Sequence, residues 1–141
     1  MKKRSGLVLI LDIVVVALAA ILFVGMFTFM QTCKMTEEGG WMVCHWAGMA
    51  IKGSSLVMLA LAVINLFISQ KGVKAGLAIA LAAQAIYTVL IPRVLINTCM
   101  MEDMHCNSVT TPFTRVFGIV ICIAAVFLAC LNTKAMKTKE N

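Results

Sequence analysis

Four apolar stretches, near Leu7–Met30, Ala47–Ile68, Val73–Ile96 and Phe113–Leu131, take up most of this 141-residue chain. Each is close to or above the roughly 20 mostly apolar residues that cross a bilayer's hydrocarbon core. The sequence is 62% hydrophobic and 13% charged, with a mean hydropathy of +0.99. A soluble domain of this size has too few polar groups to cover so much apolar surface. The runs are also too long, and too uniform, for the alternating strands of an outer-membrane barrel. The expected fold is all-α: one integral-membrane four-helix bundle spanning residues 1–141.

The start, Met1-Lys2-Lys3-Arg4 before an apolar run, resembles a signal peptide. The run is too long for an ordinary signal core, Asp12 interrupts it, and no small-x-small site follows. It reads as a retained first span. Charge asymmetry gives the orientation. Lys2, Lys3, Arg4, Lys71, Lys74, Lys134, Lys137 and Lys139 fall on one side. On the other, Lys34, Lys52, Arg93 and Arg115 are matched by Glu37, Glu38, Glu102 and Asp103. Both termini and the Ser69–Lys74 turn are therefore expected in the cytoplasm of an inner membrane. The net charge of +6 is then a topology signal and not a nucleic-acid footprint.

The two outward loops, 31–46 and 97–112, are similar. Thr32-Cys33-Lys34-Met35 recurs as Thr98-Cys99-Met100-Met101. Glu37 and Glu102 follow, and each copy closes with Met-x-Cys, Met42-Val43-Cys44 and Met104-His105-Cys106. The chain thus reads as two similar helical hairpins.

Helices in lipid associate through close packing and interhelical hydrogen bonds. Gly76, Ala80, Gln84 and Thr88 lie four apart in the third span, with Pro92 continuing the row. They are expected to face the bundle, as are Asn65 in the second span and Gly118, Cys122 and Ala125 in the fourth. The same Gly76 row is also a candidate lateral face for docking a partner. Pro92 is expected to kink the third span, and Pro112 to open the fourth. Trp41 and Trp46 flank the second span as interfacial anchors would. Cys122 and Cys130 read as plain thiols of the fourth span.

Three chemistries suit the outward face. Cys33, Cys44, Cys99 and Cys106 form an even set, which in an oxidising compartment points to two disulfides. The repeat favours pairing within each loop, and cross-pairing stays open. A soft metal such as Cu(I) is the second reading. Met42, His45, Met104 and His105 would be its ligands, with Met35, Met100 and Met101 nearby, although no zinc-type spacing is present. The third is redox exchange. Four spans with paired cysteines outside resembles the DsbB-type and vitamin-K-epoxide-reductase-type oxidoreductases, which would imply a quinone. Those families carry C-x-x-C, whereas ten residues separate Cys33 from Cys44 and six separate Cys99 from Cys106.

Charges inside spans are functional candidates. Lys52, Arg93 and Arg115 lie at similar depth beneath the loops and together would receive an anionic group, such as a lipid headgroup or a partner's acidic side chain. For Arg93 and Arg115, snorkelling to the headgroups is the plainer role; Lys52 lies deeper, beside Gly53-Ser54-Ser55, and both roles stay open. Asp12 lies near the cytoplasmic end, and its expected role is an ion pair with the nearby lysines.

Met42-Val43-Cys44-His45-Trp46-Ala47 and Cys99 … Met104-His105-Cys106 … Pro112 resemble the signatures of a small bacterial family of four-span membrane proteins of unknown function. The resemblance covers essentially the whole chain. It implies genes beside ABC transporters with FtsX- or MacB-like permeases, and no catalytic residues. No nucleotide-binding loop or Ser/His/Asp set is present. The expected function is a non-enzymatic partner subunit of an ABC-type exporter, with Lys52, Arg93, Arg115, His45 and Trp46 as contact residues. Membrane lipids and further copies of the chain are the other expected partners. A thiol oxidoreductase and a Cu(I)-binding protein are the alternatives.

Overall fold

The computed structural model describes residues 6–30, 39–40, 43–97 and 105–140. They form four helices: α1 (Gly6–Gly25), α2 (Val43–Phe67), α3 (Lys71–Leu90) and α4 (Thr111–Glu140). A π-helical turn, Cys106–Thr110, leads into α4. No strand occurs among the described residues. All four helices are long and apolar enough to cross a membrane, the fourth counted from Cys106 to Met136. At about 1.5 Å per residue, even the 20-residue α1 reaches roughly 30 Å.

α1 packs on α2 and α4, and α3 packs on the same two, most extensively on α4. α1 and α3 therefore face each other across the bundle's diagonal. Leu22, Met26, Met58, Leu81, Ile121 and Leu128 fill the centre. The outside carries Ile10, Val24, Phe67, Ile79 and Ile123, all exposed. Such a surface would aggregate in water, whereas lipid solvates it without penalty.

Two helix ends follow from prolines. α3 stops at Leu90, short of the expected Ile96. Pro92 has no amide to extend the ladder, and Arg93 turns the chain with a φ of 75°. The amides of Leu95 and Ile96 then donate to the carbonyls of Leu90 and Ile91, which satisfies the last turn. At the other hairpin the helix begins earlier than the expected Phe113. Pro112 is the second residue of α4, and the missing amide coincides with a widened turn just before it.

Helix rotation divides the small-residue row of α3. Thr88 is buried and Gln84 half-buried, but Gly76 and Ala80 face outward. The inward face is instead Lys74, Ala75, Ala78, Leu81, Ala82, Ala85 and Thr88. The expectation that Gly76 packs inside the bundle is therefore corrected: among the described residues, a Cβ added there meets nothing beyond its own helix within 4 Å. Gly118 does make the expected close contact. A Cβ there would lie 2.5 Å from Val89 Cγ2 and 3.4 Å from the Ala85 carbonyl. Ala125, about two turns further along the same face of α4, is also buried.

At the end of the bundle that carries the termini, Lys74 is not a loop charge. Its Nζ forms an ion pair with Asp12 Oδ2, with side-chain exposures of 4% and 0%. Asn65 Nδ2 donates to Asp12 Oδ1 at 3.2 Å. The expected pairing of Asp12 with a neighbouring lysine is thus present, and it crosses the diagonal from α1 to α3. Asn65 of α2 makes it a three-helix latch joining both hairpins.

Candidate functional site

The opposite end of the bundle gathers most of the residues singled out in the sequence. The chain leaves α1 through Met26–Phe29 and folds back on Gly25, where Met30 Sδ lies 3.0 Å from a built Cβ. Met30 is fully buried. This segment is tied to the entry of α4. His105 Nε2 bonds the Phe29 carbonyl at 2.7 Å, and Thr110 Oγ1 donates to the Met30 carbonyl at 3.4 Å. Phe29 meets Phe113 edge-on at 5.2 Å, and Phe113 stacks on Phe117 at 4.3 Å.

Cys44 and Cys106 occupy equivalent places in the two hairpins. Each lies within the first two residues of the second helical segment of its hairpin, and both are buried. Cys33 and Cys99, the expected disulfide partners, lie outside the described residues, as do Met42 and Met104 of the expected metal set. Of that set, His45 is half-buried and meets Trp46 edge-on at 5.7 Å. His105 has one ring nitrogen committed to Phe29. Among the described residues no three His, Cys, Asp or Glu side chains are grouped to hold a metal.

The three expected anion-receiving cations do not converge on one partner. Lys52 Nζ sits 4.9 Å over the ring of Phe27, beside α1, a cation–π contact that keeps the stem in the apolar layer. Arg93 and Arg115 hold the other corner. Arg93 Nη2 donates to Asn107 Oδ1 at 2.8 Å, and Arg115 Nη2 donates to the Pro92 carbonyl at 3.4 Å. Trp46 is exposed beside the mouth of α2, where an interfacial anchor belongs.

Arg93 makes a prediction at this corner. A non-glycine residue in the left-handed region costs about 1–2 kcal/mol, a cost glycine avoids. Arg93→Gly is expected to be more stable than Arg93→Ala by about 1 kcal/mol in detergent unfolding. Equal stabilities would contradict the strained turn.

Residues 14–131 match the domain of unknown function DUF4418. The chain belongs to that family. The DUF4418 match starts inside α1, just after Asp12, and ends inside α4. It therefore takes in both hairpins and both Cys/Met loops. This agrees with the expected membership of a family of unknown function. No curated protein and no solved structure matches the chain.

Sequence reasoning missed two features here. Asn107, an ordinary loop residue by its surroundings, anchors Arg93. The second is Ser54 as the partner on α2 of Gln84 and Thr88: Gln84 Nε2 donates to Ser54 Oγ at 2.8 Å while Ser54 and Thr88 share a hydrogen bond. Its signal was the pairing of Ser54-Ser55 on one apolar span with Gln84 and Thr88 on the next, polar groups that lipid cannot satisfy.

Proposed function

We propose that this DUF4418 protein is a non-enzymatic partner subunit of a larger membrane complex, of the ABC-exporter kind. In this reading both termini lie in the cytoplasm of a bacterial inner membrane. The Cys/Met/His loops face outward, braced by disulfides, and Lys52 and Trp46 belong to the contact surface. The exporter assignment rests on the family resemblance.

The observation that carries a docking role is the outward-facing Gly76. Glycine inside a helix costs about 1 kcal/mol relative to Ala. Among the described residues nothing beyond its own helix offsets that cost, because none has an atom within 4 Å of the place a Cβ would take. Ala80 follows one turn on and is exposed too. In lipid, such small-residue spacing lets a second helix approach closely. A helix from another chain would use the space that the bundle leaves open.

The test separates docking from folding. Gly76→Leu is expected to leave bundle stability within about 0.5 kcal/mol of the parent, since it changes an open surface position. The same change is expected to abolish co-purification with a permease in mild detergent. Lys52→Met should weaken that association without unfolding the bundle. Association unchanged in both variants would sink the reading.

A further inference from the structure

A shallow groove of about 150 Å³ lies between α3 and α4 on the outside of the bundle. Ile86, Val89 and Leu90 line one side, and Ile119, Cys122 and Ile123 the other. In a soluble core, an apolar space of about this size holds a benzene-sized hydrocarbon. Here the space is open on the side that would face lipid chains.

The loop-facing end of the groove is cationic. Arg115 precedes Ile119 and Ile123 at four-residue intervals on the same face of α4, about 6 Å along the axis from Ile119. Its guanidinium has five N–H donors. Among the described residues its hydrogen bond is the long one to the Pro92 carbonyl. Arg93 lies in the turn directly beyond the end of α3, and its side chain is exposed. Both cations therefore sit where the apolar length of the helices ends, which is headgroup depth.

We infer that the α3–α4 groove and Arg115, assisted by Arg93, form a site for one anionic glycerophospholipid. The phosphate lies on the guanidinium groups and part of an acyl chain lies along the groove. Arginine's planar fork suits phosphate oxygens. Two positive charges favour a lipid with net negative charge over a zwitterionic one. The site does not depend on the exporter-partner reading, and its α3 residues begin ten positions beyond Gly76.

The test is native mass spectrometry of the full chain in mild detergent, supplied with equal amounts of phosphatidylglycerol and phosphatidylcholine. One phosphatidylglycerol per chain is expected to be retained in preference. Arg115→Gln should lower its retention roughly tenfold, as expected for loss of a charge-assisted hydrogen bond. Ile119→Trp fills the groove but keeps both arginines, and should also lower retention. Lys134→Gln, near the far end of α4, should leave it unchanged. Circular dichroism checks folding, and if Arg115→Gln does not fold, Ile119→Trp alone decides. Equal retention of the two lipids would overturn the site. So would retention unaffected by either substitution, or a second copy of the chain bound in place of lipid.

Discussion

Replacing Lys74 with Ala is expected to lower bundle stability by about 3–5 kcal/mol, the usual cost of stranding one member of a buried ion pair. Whole domains of this size are stable by only about 5–15 kcal/mol, so this is the largest single-residue effect expected of the terminal end. The substitution would leave the Asp12 carboxylate fully enclosed, with the Asn65 amide as its hydrogen-bond partner among the described residues. Asp12→Ala strands the Lys74 ammonium in the same way. The combination Asp12→Leu, Lys74→Met and Asn65→Leu removes every polar member of the latch. It is expected to recover most of the loss, because well-packed apolar groups often replace a buried pair without cost. Unfolding of each variant in mixed micelles, followed by circular dichroism, measures the differences. Single substitutions costing under about 1 kcal/mol would mean that the pair is solvated, as surface pairs are.

The second large effect is expected at Gly118. Even a methyl group there would sit 2.5 Å from Val89 Cγ2. Val89 is β-branched and cannot swing aside freely, and the Ala85 carbonyl behind it is fixed by its helix. Gly118→Ala should cost about 1–3 kcal/mol, as overpacking does, and Gly118→Leu should separate α3 from α4. Adding Val89→Ala should restore much of the loss in Gly118→Ala. A cost that Val89→Ala does not relieve would show that the contact is not with Val89. For folding, the same residue type is expected to be indispensable at Gly118 of α4 and replaceable at Gly76 of α3.

The four helices and their pairing into hairpins were legible because hydrophobic length alone specifies a span. So was the ion pair of Asp12, since a carboxylate inside an apolar helix must find a partner. The face presented by Gly118 and Ala125 was also readable, as small residues on one row of α4. What the sequence hid was rotation. A soluble helix marks its buried face by an apolar stripe, but these helices are apolar on all sides, so a row of small residues marks a contact without saying with what. Gly76 and Ala80 were therefore assigned inward when they face out. Lys74 was among the cations expected near Asp12, but which of them pairs with it was not legible, because the choice is made across the bundle's diagonal. Arg93 and Asn107 meet through the turn that Pro92 forces, and no local pattern announces that pairing. At the loop end, Cys44 and Cys106 fall into equivalent buried positions, as the repeat suggested. The pairing of their expected partners Cys33 and Cys99 lies outside the described residues.

We propose that the Gly76 face is this bundle's contact with a second membrane protein. Affinity purification from the native membrane in mild detergent, comparing the parent chain with Gly76→Leu, tests it most directly. An ABC-type permease in stoichiometric amount is expected with the parent, and its loss with Gly76→Leu, at unchanged unfolding midpoint. A parent chain that purifies without such a permease, or a variant that retains it in full, would contradict it.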